Sequence, residues 1–246
     1  GVSGSPTYAE GSYMPCFMPG LSHAQMISAA ASVPYYVFSH QAGHIMAALY
    51  SAGRLDLKDQ RFAAFHVSGG TTDVIEVSPD SSKIIFPKTV GGSLDINAGQ
   101  AIDRAGVMMG LSFPAGCGME RLAADYEGKA YPALCSVKGL ACNLSGLENK
   151  AARLYGDTGD KGAVAAFVLS SIRETLSRML DGLYIECGKV PVVFAGGVMS
   201  CKMLRESLSG EGRFFASPEY SSDNACGAAL LAYFRYRTEL GGVKKT

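Results

Sequence analysis

The 246-residue chain carries no net charge, because 22 Lys and Arg balance 22 Asp and Glu. No global basic field draws it to nucleic acid, so any RNA contact has to come from a local patch or a partner subunit. No apolar run reaches the roughly 20 residues that a membrane span needs. The first residues also lack the charged head and apolar stretch of a secretory signal. Seven cysteines are scattered without a single C-x-x-C pair, which argues against a disulfide framework and a structural zinc site and favours a reducing, cytoplasmic setting. A starting Met is missing too: Gly1-Val2-Ser3-Gly4-Ser5-Pro6 reads as the end of a strand running into a glycine loop, as if the chain began inside a larger gene product. What is there is 48% hydrophobic residues, enough to bury a substantial core in one large or two modest domains.

Histidine is scarce, and two of the four, His40 and His44, stand four residues apart. On a helix those positions share a face, so two imidazoles there can grip one metal ion and leave room for a third protein ligand and a substrate. The same spacing also occurs on an ordinary helix face.

Hydrophobic periodicity predicts a helix ending near Ala31, a strand over Val33–Phe38 and a helix through His40–Tyr50. Past the polar residues 53–60, strands are expected at Phe62–Val67, at Asp73–Val77 and near Ile84–Phe86, joined by tight turns into a meander. Residues 95–186 read as helical, with Leu169, Ile172, Leu176, Met179 and Leu180 forming a core stripe. The remainder is expected to run strand (Val190–Ala195), turn, helix (Met199–Leu208), strand (Phe214–Ala216) and a final helix (Asp223–Tyr236). A meander, a helical insertion and then two strand–helix units is the lobe plan of the ribonuclease-H-like, actin and sugar-kinase superfamily. The expected architecture is thus an α/β, actin/sugar-kinase-like two-lobed fold with an incomplete first lobe: residues 1–60 as the remainder of that lobe with the metal-binding helix, and 61–240 as the second lobe with its insertion at 95–186.

Two glycine turns fall at strand ends. Ser68-Gly69-Gly70-Thr71 can bring backbone N–H groups close to an anion, although Gly-Gly between strands is also an ordinary hairpin turn. Gly196-Gly197 follows a buried strand and precedes a helix, whose N-terminus adds partial positive charge. Together they point to a nucleotide cleft. Asp103 and Glu120 are candidate acceptors for ribose hydroxyls; each adjoins an Arg, so a surface ion pair is the competing role. Asp223, ahead of the last helix, suits either an N-cap or a hard metal ligand.

Taken in order from Gly1 to Tyr236, these motifs resemble the TsaD-type threonylcarbamoyl transferase family, formerly the O-sialoglycoprotein endopeptidase or M22 group. His40-Gln41-Ala42-Gly43-His44 resembles its H-x-x-G-H, Val67-Ser68-Gly69-Gly70 its V-S-G-G, and residues 92–103 its G-x-x-L-D-x-A-A-G-E-A-F-D. Leu111–Gly116, Leu144–Leu147, Ala195–Val198 and Ser222–Asn224 are similar to L-x-Y-P-G-G, F-S-G-L, A-G-G-V and T-D-N. The resemblance implies an iron or zinc ion held by His40, His44 and Asp223, and a bound ATP, ADP or threonylcarbamoyl adenylate. Ser68, Gly69, Gly70 and Thr71 would line its phosphates, Asp103 and Glu120 its ribose, and Gly116 and the Gly196-Gly197 turn its nucleoside. It also implies transfer of a threonylcarbamoyl group to a tRNA adenosine, with no membrane involved, in a homodimer or a heterodimer with a paralogous subunit. The family usually has Glu where Ala42 stands, His or Asn at Thr71 and Asn at Cys201. These departures suit the alternative of a divergent, non-catalytic paralogue acting as a nucleotide-binding scaffold. A zincin peptidase is disfavoured, because Gln41 stands where its general-base Glu would be, and a sugar or acid kinase has no use for His40 and His44.

Overall fold

Successive side chains of a strand point to opposite faces, and in Phe62-Ala63-Ala64-Phe65-His66-Val67 both sets are largely apolar, as a strand covered on both sides requires. A computed structural model of the chain, describing residues 1–221 and 225–243, places this segment inside a seven-stranded mixed sheet.

In chain order, β1 (Val2–Ser5), α1 (Met18–Ala31), β2 (Val37–Ser39) and α2 (His40–Ser51) come first, with β1 and β2 paired in parallel. The strand expected from Val33 begins only at Val37, since Ser32 closes α1 in a left-handed conformation (φ 53°) and Pro34 has no N–H to give a ladder. Ser39 caps α2, its Oγ accepting from Ala42 N (3.2 Å). The meander follows as β3 (Phe62–Val67), β4 (Thr72–Asp80) and β5 (Ile84–Ser93), the last two longer than periodicity suggests because their pairing runs from Asp73–Gly92 out to Asp80–Ile84. Residues 95–186 supply α3 (Ala98–Met108), α4 (Gly116–Ala124), α5 (Gly146–Thr158) and the 27-residue α6 (Lys161–Cys187). Between α4 and α5 lies a hairpin that the sequence did not signal, β6 (Val137–Lys138) and β7 (Ala141–Cys142), which extends the sheet edge beside β5. Then come β8 (Val192–Ala195), α7 (Lys202–Leu208), β9 (Arg213–Phe215) and α8 (Cys226–Val243). The helix expected over Met199–Leu208 is split, with a 3-10 turn at Gly197–Ser200, an extended Cys201 and only then α7. The Asp223 start of the last helix lies outside the described residues.

The strand order is β6-β7-β5-β4-β3-β8-β9, with β3–β8 and β8–β9 parallel. On one face Phe62, Ala64, Ile75, Val77 and Val193 pack under α2 and α8; on the other Ala63, Phe65, Val74, Val192 and Phe194 meet the insertion, including the whole predicted α6 stripe. Register places Phe65, Phe194 and Phe215 side by side on adjacent strands, their rings stacked at 5.1 and 4.9 Å. Such pairs add about 0.5–1.5 kcal/mol each to the burial of the rings. Helices α2 and α8 meet backbone to backbone: a Cβ on Gly227 would run into Gly43 O. Helix α1 buries none of its residues. Among the described residues no helix is long and apolar enough to cross a membrane.

Asp95 ties the insertion to the sheet edge, accepting from Leu144 N (2.8 Å), Ser145 N (3.0 Å), Ser145 Oγ (2.6 Å) and Ile96 N (2.7 Å). Burial alone would raise its pKa, but these donors overcome that and hold the carboxyl well below the usual carboxylate range. Its contribution is therefore complete above the unfolded value of about 4 and is lost as pH falls through the lower folded value. Asp95→Asn is expected to lower the urea midpoint at pH 7, with the gap to wild type narrowing below about pH 4. A gap of the same size at pH 7 and at pH 3 would contradict this.

Candidate functional site

Because Ser39 caps α2, His40 opens the helix and His44 follows one turn later on the same face. Their Nε2 atoms lie 3.0 Å apart and their rings meet edge to face at 4.5 Å. Two ring nitrogens that close cannot both carry hydrogen: either one N–H donates to the other nitrogen, or both lone pairs face one cation. The second arrangement is the one two imidazoles adopt around zinc or iron, so this pair fits a transition metal. Asp223 lies outside the described residues, and among those described no group of three or more His, Cys, Asp or Glu is gathered as a metal site.

Period-2 alternation puts His66 on the α2 face of the sheet with Phe62 and Ala64, and its ring packs 5.0 Å from that of His44. Directly opposite His66 on β4 stands Asp73. Both line a cavity of about 380 Å³ shared with His40, Gln41, His44 and the Ser68–Thr71 turn. Burial raises the pKa of Asp73. Gln41 Nε2 donates to Thr89 Oγ1 (3.0 Å), while its buried Oε1 accepts nothing among the described residues. Sequence reasoning passed over His66, Asp73 and Gln41. For the first two the signal was available, since a four-residue turn at Ser68–Thr71 forces Val67 opposite Thr72 and His66 opposite Asp73.

The glycine turn is held by its own serine, whose Oγ accepts from Gly70 N (3.2 Å) and Thr71 N (3.1 Å). Consecutive N–H groups converge there on one oxygen, as they would on an anion. Parallel pairing brings the second turn alongside: Ala195 pairs with His66, and Gly196 (φ 98°) lies so close to Val67 that a Cβ would come within 2.3 Å of its carbonyl oxygen. By contrast, a Cβ built on Gly69, Gly70, Gly116 or Gly197 meets nothing within 4 Å, so these four glycines border open space.

The remaining candidates stand farther along the insertion and carry structural duties. Asp103 Oδ1 accepts from Ala115 N (2.7 Å) and Glu120 Oε1 from Lys202 N (2.6 Å), so Glu120 caps α7. Neither forms the expected surface ion pair with its neighbouring Arg; Arg104 pairs with Glu148 (2.9 Å). The amide groups that were to add positive charge after Gly197 are thus satisfied by a carboxylate. Burial, with Glu120 nearby, pushes the Cys201 thiol up to about 11, which keeps it protonated at neutral pH. Ala42 is fully buried in the apolar layer between α2 and the sheet, away from the cavity.

A model of the TsaD family, described as tRNA N6-adenosine threonylcarbamoyltransferase, matches residues 11–230. Two relatives bear the name tRNA N6-adenosine threonylcarbamoyltransferase. The one from Syntrophobacter fumaroxidans is 30% identical over 87% of this chain, and the one from Vesicomyosocius okutanii is 28% identical over 88%; the match spans 67% of each relative. A crystal structure of full-length HypF in its phosphate- and nucleotide-bound form superposes with a TM-score of 0.60 at 13% identity, over 81% of this chain and 36% of that one. The α/β fold is of the actin/sugar-kinase type.

Open space and strain predict opposite outcomes at the two turns. Gly70→Val is expected to melt within about 2 °C of wild type, whereas Gly196→Ala, with a left-handed φ and a backbone collision, should lose about 5–10 °C. Equal melting temperatures in thermal unfolding would contradict the packing of the second turn on Val67.

Proposed function

This chain belongs to the TsaD family of tRNA N6-adenosine threonylcarbamoyltransferases, and we propose that it moves a threonylcarbamoyl group from its adenylate to the exocyclic amine of a tRNA adenosine. The observation that carries the reading is the convergence of His40 and His44 Nε2 on the cavity that the Ser68–Thr71 turn also lines. Iron or zinc is the proposed ion, held by His40, His44 and Asp223; once bound it supplies Lewis-acid polarisation of the donor carbonyl, and no protein nucleophile is needed. Backbone N–H groups of residues 68–71 would turn from Ser68 Oγ to the donor's phosphate oxygens, and Gly69 and Gly70 let phosphate approach the main chain. We place Asp103 and Glu120 at the ribose through the oxygens they do not spend on Ala115 and Lys202, and Gly116, Gly196, Gly197 and Cys201 around the nucleoside. HypF, a fold neighbour, was solved with nucleotide bound. The division into a first-lobe remainder (1–60) and a second lobe (61–240) belongs to the same proposal.

The neutral charge balance favours tRNA capture with the help of partner proteins, in a homodimer or a heterodimer with a paralogous subunit in the cytoplasm. A second reading, a nucleotide-binding scaffold without transfer activity, is favoured by the structural duties of Asp103 and Glu120 and by the protonated thiol at Cys201.

One experiment separates them: full-length protein with its partner is incubated with donor adenylate and tRNA, and modified nucleoside is measured by mass spectrometry alongside metal content. Expected are roughly one equivalent of transition metal per chain, threonylcarbamoyladenosine in wild type, and loss of both in His40→Ala and His44→Ala. Metal and nucleotide binding without modified tRNA would establish the scaffold instead, and full metal retention in both variants would overturn the metal assignment.

A further inference from the structure

The carboxylates around the cleft differ in what their oxygens are already doing. Asp95 accepts five hydrogen bonds from the chain, Asp103 accepts one from Ala115, and Glu120 caps α7. Asp73 does none of this: among the described residues no N–H, O–H or cation reaches its carboxylate. A half-buried carboxylate without donors costs stability, so the fold carries it at a loss unless something else in the cleft uses it. Its place is also provided for. Gly92, paired with Asp73 on β5, takes φ 155°, and a Cβ there would press on Thr72 O at 2.5 Å and Asp73 Oδ1 at 3.0 Å.

Position then selects the role. Asp73 and the His40–His44 pair line one cavity, Asp73 on the sheet floor and the imidazoles on the α2 wall, with the phosphate turn beside both. Asp73 thus faces the same space as the histidines and the turn to which the proposed function assigns the donor's carbonyl and phosphates. Gln41 Oε1, a second acceptor lining the cavity, adds no charge but makes this end of the cleft suited to a group bearing N–H.

Resting on the transfer reading above, we propose that Asp73 is a catalytic residue that accepts a hydrogen bond from the attacking amine and takes its proton. The amine nitrogen donates its lone pair to the carbamoyl carbon, forming the new C–N bond. The bond from that carbon to the adenylate phosphate oxygen breaks, its electron pair leaving with AMP. The proton released from nitrogen passes to Asp73 and from there to solvent, so the products are the modified adenosine, AMP and one proton.

Asp73→Asn keeps the side-chain shape and removes its basicity. In the full-length protein with its partner, the variant is expected to hold metal and donor adenylate as wild type does and to melt at the same temperature or higher. Its transfer to tRNA in a single turnover should be at least about 100-fold slower, with part of the rate recovered in Asp73→Glu. Transfer at the wild-type rate in Asp73→Asn overturns the inference, as does a variant whose metal content, donor binding and melting temperature fall together with its rate. A wild type that modifies no tRNA overturns the transfer reading and this inference with it, and the two failures are told apart by which protein is inactive.

Discussion

Everything at the cleft depends on the in-register parallel pairing of β3 with β8. It ends both strands at the same level, so the Ser68–Thr71 and Gly196–Gly197 turns emerge side by side, and it leaves Gly196 against the Val67 backbone where no side chain fits. Ligands of open α/β sheets collect outside the carboxyl ends of parallel strands for this reason: the main chain turns away there and exposes amide groups. The glycine contact of α2 with α8 then fixes the helix over that end of the sheet, so that His40 and His44 hang above the strand that presents His66.

Two kinds of polar residue occupy the region, and their partners distinguish them. Asp95, Asp103 and Glu120 accept from backbone N–H groups: Asp95 fastens the insertion to the sheet edge, Asp103 links α3 to the start of α4, and Glu120 joins α4 to α7. His40, His44, His66 and Asp73 instead meet around a cavity. One set is used by the fold. The other lines the space between α2 and the sheet, and within it Asp73 is half-buried with no donor reaching its carboxylate among the described residues.

Much of this was legible in the chain, and the parts that were not share a physical origin. The strand over Phe62–Val67, the α6 stripe and the order of strand and helix units follow from local periodicity, which is strong over long segments. Hairpin β6–β7 has two residues per strand and exists through pairing with the edge of β5, a non-local partner invisible to any window. The break at Cys201 and the capping of α7 by Glu120 likewise join positions 82 residues apart. His66 and Asp73 were different: counting outward from the four-residue turn pairs them, and alternation places both on the α2 face. The signal there is turn length rather than residue type. His40 and His44 were set on one helix face from spacing alone, and their Nε2 atoms lie 3.0 Å apart.

In the proposed site the two Nε2 atoms share a metal rather than a proton. Anomalous diffraction at the zinc or iron edge, on crystals of the full-length protein grown without chelator, tests it most directly. The expected result is one peak about 2.0–2.2 Å from both nitrogens, opening onto the cavity beside the Ser68–Thr71 turn. A peak elsewhere, or a metal-free hydrogen bond between the two rings in protein that has been offered the metal, would contradict it.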